Sequence, residues 1–301
     1  MRDVLILKSA EISLPLVLEF VFAELCEAFQ RRGHTVRTVF NIQEISDESI
    51  VFMGNTIRTL DPVALLHAQA PNAIYIAWYW DSVEYGTSRL KHFIHTHENI
   101  IDWTIGTHLL YISNIKDTQN KCPLLLRVPE AIHAIGSYER NVQRDYCYMG
   151  WNYHPEWVPS GKFTGIYHGF RHWSEYLSFA QRKAIYLSSK FALGFQSEEN
   201  ILAGHVSQRI FEGLAYGCIV FSESGPACQQ TEGIVQCISS KESLEERMEY
   251  FGAHPDEVLA LQQRGYDFIR RAGTNNLSVG LFHGTIRSCF GVDIFKALDS
   301  S

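Results

Sequence analysis

Ser188 to Ser224 reads SSKFALGFQSEENILAGHVSQRIFEGLAYGCIVFSES, and the fold class follows from it. Phe191–Phe195 (FALGF) is a short apolar run of strand length, Val206–Tyr216 repeats with a helical period, and Ile219–Ser222 (IVFS) is a β-branched run. Gly217, between helix and second strand, suits the tight turn at a helix C-terminus. Strand, irregular loop, helix, glycine and strand make a βαβ-type unit. Strands apolar throughout belong in a parallel sheet covered on both faces. In the helix Arg209 and Glu212 stand three apart and project from nearly the same face, while Ile210, Phe211, Leu214 and Ala215 occupy the packing flanks. The preceding loop lies at the carboxyl end of a strand, where open α/β sheets bind ligands and helix N–H groups meet phosphate.

The same alternation runs outward in both directions. Upstream it predicts strands at Asp3–Lys8, Thr35–Phe40, Ser49–Gly54, Asn72–Trp80, Ile100–Ile105 and Leu124–Val128, with helices at Pro15–Arg32, Asp61–Gln69 and Ser88–His97. Between His133 and Arg144 the pattern lapses into polar, charged residues, which marks a boundary. It restarts with strands at Asp145–Met149 and Phe163–His168 and a helix at Ser174–Ala184. After the opening stretch come a strand at Ile234–Ile238, helices at Ser243–Phe251 and Pro255–Ala272, and an amphipathic segment at Val279–Leu298. The expected architecture is α/β, with two Rossmann-like domains, 1–140 and 141–301, facing across a cleft. The last helix is expected to cross back to the first domain.

Bulk properties agree with two domains. A chain of 301 residues suits two units of roughly 150 each, and 46% hydrophobic with 20% charged residues describes a globular protein with a core. The net charge of −7 gives no support to a phosphate-backbone partner. The seven cysteines include no C-x-x-C pair and sit mostly in apolar runs, which reads as reduced, buried thiols in a cytoplasmic protein without a structural zinc. Ile12–Cys26 is strongly apolar, but Glu11, Glu19, Glu24 and Glu27 punctuate it at helical spacing and no small-residue cleavage site follows. It reads as a buried amphipathic helix, with no transmembrane segment expected.

Ser207-x-Arg209-Ile-Phe-Glu212-Gly-Leu-Ala-x-Gly217-Cys-Ile-Val-Phe221 resembles the donor-site helix of group 1 glycosyltransferases, whose fold is GT-B, and in particular the branch resembling spore-maturation glycosyltransferase-like proteins. The resemblance implies that Glu212 hydrogen-bonds the ribose hydroxyls of a nucleotide sugar and that Arg209 faces its diphosphate, which suits the guanidinium fork. Three further places are similar: Arg32-Gly33-His34 at the end of a first helix, Leu126–Ala131 (LRVPEA) approaching the interdomain linker, and Tyr148-Met149-Gly150 in the first strand of the second domain. In the family that last glycine lets the backbone approach the donor. The donor-binding set so implied is Gly150, Asn152, His168, Ser207, Arg209 and Glu212, with Asp81 and Arg209 as the catalytic candidates. One departure stands out. Many group 1 enzymes carry an acid eight positions before the ribose-binding Glu, where this chain has Gly204, and Glu198 and Glu199 just upstream are the available substitutes.

Plainer readings stand beside these. Arg209 and Glu212 also suit a solvated intrahelical pair. Asp81, ending an apolar strand, is either a helix N-cap or a group facing the cleft, the general base if the enzyme inverts. His168 and Arg171 suit a donor-phosphate contact or a surface loop equally. His92, His95 and His97 read as a solvated helix face rather than metal ligands, since no acidic partner accompanies them. The chain has no D-x-D triplet, so the diphosphate is expected to be neutralised by Arg and helix N-termini without a metal or other cofactor. The expectation is a metal-independent hexosyltransferase-type enzyme, leaning to retention at the anomeric carbon, using a nucleoside-diphosphate sugar and an acceptor that is a glycan, a protein or a small molecule. The rivals are a non-catalytic nucleotide-sugar or carbohydrate-binding protein, and a nucleobase-modifying glycosyltransferase, against which the charge counts.

Overall fold

Runs of β-branched and aromatic residues form the strands, because a residue covered on both faces of a sheet keeps no side toward water. The computed structural model describes residues 3–7, 30, 34–54, 63–79, 103–106, 120–123, 134–172, 175–202, 204 and 206–272. The chain divides into two compact units. In the first, β1 (Asp3–Leu7), β2 (Val36–Val39), β3 (Ser49–Gly54), β4 (Ile74–Tyr79), β5 (Trp103–Gly106) and β6 (Asn120–Pro123) form a six-stranded sheet in the order β2-β1-β3-β4-β5-β6. All the pairings are parallel. Helix α1 (Val63–Gln69) connects β3 to β4, and the buried Tyr75 hydroxyl on β4 donates to the carbonyls of Leu66 and Ala70 at 2.9 and 2.8 Å. Aliphatic side chains of β1 and β3 are at the core of this sheet, Val4, Leu5, Ile50 and Val51 being fully buried.

The second unit holds β7 (Arg144–Trp151), β8 (Gly165–Phe170), β9 (Ser189–Leu193), β10 (Ile219–Ser222) and β11 (Gln236–Cys237), in the order β11-β10-β9-β7-β8 and again parallel. Its helices are α2 (Phe179–Leu187), α3 (Glu198–Leu202), α4 (Gln208–Ala215), α5 (Gly225–Gln230), α6 (Lys241–Ala253) and α7 (Pro255–Ala272). Ser178 and Gln181 close a capping box on α2, and Ser240 caps α6. Proline opens α7, with Asp256 and Glu257 in the first turn and Arg270 and Arg271 in the last, each sign at the end of the dipole it favours. Gly217 ends α4 at a φ of +78°, as the turn reading requires. The chain steps from β7 to β8 on one side and then to β9 on the other. Strand order therefore reverses between β7 and β9, the point at which open parallel sheets form ligand crevices.

Several expectations change. A strand occupies Asn120–Pro123, while the strand expected at Leu124–Val128 lies outside the described residues, as do the helices at Pro15–Arg32 (residue 30 excepted) and Ser88–His97 and the segment Val279–Leu298. Two short helices form that were not expected, α3 in the stretch read as an irregular loop and α5 in a stretch assigned no element. The reading of uniformly reduced thiols is corrected: Cys147 and Cys218 are free and buried, but α5 and β11 bring Cys228 and Cys237 together in a disulfide. Among the described residues no helix is long and apolar enough to cross a membrane.

Candidate active site

Long helical side chains lean toward the N-terminus of their helix, and Arg209, in the first turn of α4, leans over the carboxyl end of the sheet. Its Nη1 donates to the Tyr148 hydroxyl at 3.1 Å and to the Phe195 carbonyl. Tyr148 belongs to β7 and Phe195 follows β9, so the guanidinium sits at the reversal of strand order. It lies 5.4 Å from the Tyr148 ring centroid and 5.9 Å from that of Tyr153. Gly150 makes this possible: a Cβ there would stand 2.5 Å from Arg209 Cζ. The glycine expected to admit the donor instead admits the arginine. A fixed planar cation beside a helix N-terminus can bind a diphosphate and stabilise it as it leaves.

Glu212 is placed otherwise than expected. It is 2% exposed, so it does not face a solvent-filled cleft, and its ion pair is with Arg182 of α2 rather than Arg209. Arg182 Nη2 meets Glu212 Oε1 at 2.7 Å, and Gln208 Nε2 adds a bond at 3.0 Å. Three-residue spacing points Arg209 and Glu212 to one face, but α2 packs against that face one turn along and takes the carboxylate. Burial pushes the Glu212 carboxyl up and Arg182 pulls it back, leaving it raised. The Arg182 guanidinium lies over the rings of Tyr176 and Phe179 at 4.8 and 6.0 Å.

The other expected residues scatter. Ser207 is the N-cap residue of α4, but its hydroxyl makes no capping bond and is buried without a partner. Its N–H donates to Gln196 Oε1 at 3.0 Å. Asn152 lies over Gly169 of β8, and its N–H extends the ladder to Phe170. His168 pairs with Met149, next to Tyr148 on β7, so the pleat sets it on the face opposite Tyr148 and Arg209. Its Nε2 stands 2.8 Å from the Glu175 carbonyl; the donor contact expected of it is not what this position offers. Gly204 has a φ of +70°, a conformation that an acidic side chain would strain. Glu198 and Glu199 are exposed in the first turn of α3. Asp81, His92, His95 and His97 lie outside the described residues.

A carboxylate that the sequence reading passed over does enter it. Glu223 follows β10, and its Oε1 accepts the Gln196 N–H at 2.7 Å and lies 3.7 Å from His154 Nε2. Burial pushes this carboxyl up, while the Gln196 N–H, His154 and Arg209 pull it down, with a raised net result. Its one legible signal was a charge directly after an apolar strand, at the sheet's ligand-binding end.

The family described as glycosyl transferase-like matches residues 127–277, which carry β7 to β11 and Arg209. No curated protein sequence matches the chain. Among solved structures it is similar to an α-glucosyltransferase in complex with UDP-glucose and DNA containing an abasic site, at 10% identity over 95% of this chain and 99% of that one, with a TM-score of 0.59. A T4 phage β-glucosyltransferase gives 11% identity, 95% and 99% coverage and a TM-score of 0.58. The pneumococcal O-GlcNAc transferase in complex with UDP and GlcNAc gives 9%, 83% and 58%, and 0.51.

Proposed function

Because the chain belongs to the glycosyl transferase-like family and is a glycosyltransferase of GT-B fold, we propose that residues 141–301 bind a nucleoside-diphosphate sugar at the carboxyl ends of β7 and β9, with Arg209 facing the diphosphate. The observation that carries this reading is the Arg209 guanidinium, held by Tyr148 and Phe195 at the reversal of strand order. UDP and UDP-glucose in the similar structures favour a uridine donor. Transfer is proposed to proceed without a metal, the departing diphosphate being stabilised by Arg209 and the α4 N-terminus. Retention at the anomeric carbon and kinship with the spore-maturation branch come from the resemblance of Ser207–Phe221.

Residues 1–140 are proposed to serve the acceptor, with Asp81 as base should the enzyme invert. A glycan, protein or small molecule is the favoured acceptor. A nucleobase acceptor draws support from the DNA in one similar structure, but the net charge of −7 opposes a nucleic-acid groove. A cytoplasmic location belongs to the same proposal; the Cys228–Cys237 disulfide counts against it, and loss of that bond in protein isolated with thiols blocked is the result the proposal expects.

The test is thermal stabilisation by a panel of nucleotides and nucleotide sugars. A donor at about 100 times its dissociation constant adds about 2.7 kcal/mol, and a raised melting temperature with one base series is expected. Binding without transfer to any acceptor would favour the non-catalytic rival; no stabilisation by any nucleotide would refute the donor site.

A further inference from the structure

The Phe195–Gln196 peptide unit is held at both ends by opposite charges. Its carbonyl accepts from Arg209, and its N–H donates to Glu223 Oε1 at 2.7 Å. Glu223 therefore lies across a single peptide plane from the cation assigned to the diphosphate. Its side chain is 10% exposed, and Ser222 Oγ reaches Oε2 only at 3.4 Å. A carboxylate so close to an anion's berth repels that anion, so phosphate recognition gives no reason for it to be there. Holding the loop would need only a neutral acceptor. Two buried polar groups without partners belong to residues linked to it through their backbone N–H groups: Gln196 Nε2, on a residue 1% exposed whose N–H meets Glu223, and Ser207 Oγ, on a residue 8% exposed whose N–H meets Gln196 Oε1. An unmet amide donor, an unmet hydroxyl and a carboxylate acceptor together match a ligand whose hydroxyls both donate and accept. A phosphate oxygen only accepts; a sugar does both.

We propose that Glu223 recognises the hydroxyls of the transferred sugar, and that this site takes a neutral sugar in preference to an acidic one. The inference rests on the donor-site reading above. It also accounts for Gly204: the acid absent from the α3–α4 loop is supplied from the end of β10, so the loop is free to turn through a left-handed residue. A uronic acid in the same place would set its carboxylate against Glu223 in a half-dry site, which specificity by repulsion forbids.

Calorimetric titration of the full chain with UDP, UDP-glucose and UDP-glucuronate tests it. The unaltered protein should bind UDP-glucose more tightly than UDP and discriminate against UDP-glucuronate. Glu223→Gln should bind UDP at least as tightly as the unaltered protein, because the repulsion of the diphosphate is gone, but lose about tenfold or more of the sugar-dependent gain, the range of a charge-assisted hydrogen bond, and its discrimination against UDP-glucuronate should collapse. Should Glu223→Gln fail to fold, Glu223→Asp decides: it keeps the charge and withdraws it, so the glucose gain should fall while discrimination against glucuronate persists. A ratio of UDP-glucose to UDP affinity that is the same with and without Glu223 overturns the inference while leaving the donor site intact. Absence of UDP binding by the unaltered protein, or UDP affinity indifferent to Arg209→Ala, overturns the donor-site reading itself.

Discussion

Replacing Glu212 by glutamine keeps the side-chain volume and removes the charge that compensates Arg182 inside the second unit. The pair is closed at 2.7 Å with side-chain exposures of 4% and 2%, so water cannot take the place of the lost carboxylate. Breaking a buried pair by removing one partner costs about 3–5 kcal/mol. The amide oxygen still accepts from Arg182 and from Gln208 only in part, so the lower end, about 3 kcal/mol, is expected. At about 2–4 °C per kcal/mol for a unit of this size, the melting temperature should fall by roughly 6–12 °C. Arg182→Met should destabilise as well, and the double variant should recover much of the loss, because no uncompensated charge remains buried. Thermal denaturation of the two single variants and the double variant gives the coupling directly, and nucleotide titration of Glu212→Gln gives the functional side. An unchanged melting temperature combined with nucleotide affinity reduced about 10- to 150-fold would refute this reasoning. Glu212 would then be the ribose ligand that its resemblance implies, and the contact with Arg182 incidental to stability.

Gly150→Ala places a methyl group where the Arg209 guanidinium lies, 2.5 Å from Cζ; turnover should fall with little loss of melting temperature, because the flexible arginine moves rather than the backbone. Arg209→Ala should lower kcat by about 10²–10³ and raise KM far less, since its charge matters most as the diphosphate departs; equal effects on both constants would count against that role. Turnover in excess EDTA should match the untreated rate, and strict dependence on added Mg²⁺ or Mn²⁺ would overturn the metal-independent proposal. Burial raises the folded-state carboxyl of Glu223, so its contribution to stability is fully present below the unfolded value of about 4.3 and is lost as pH rises through the folded value. Glu223→Gln should therefore gain stability relative to the unaltered protein as pH rises from about 4 toward neutrality, and parallel melting profiles would contradict this.

Local pattern was enough to determine the alternating parallel α/β architecture. Ser49–Gly54, Ile219–Ser222 and Pro255–Ala272 form the elements their periodicity predicts, with the same bounds, because apolar spacing is a property of consecutive residues and survives any packing. Arg209 was legible for the same reason, as a charge in the first turn of a helix after a strand. Short elements were not: five-residue α3 and six-residue α5 carry too few turns for a period to show. The partners of polar side chains were beyond sequence altogether. Glu212 stands three positions from Arg209 and thirty from Arg182, yet it bonds Arg182, because α2 packs on α4 and a buried carboxylate takes whichever cation the packing delivers. Glu223 meets Gln196 for a similar reason, the parallel pairing of β9 with β10, which sets the ends of the two strands side by side. Cys228 and Cys237 likewise show no motif at their spacing and are joined because α5 delivers one to the end of β11. Sequence alone determined the longer strands and helices and the end of the second sheet at which the candidate site was expected; the tertiary structure decided which charges meet there, since spatial neighbours are chosen by the burial of apolar faces and not by their distance along the chain.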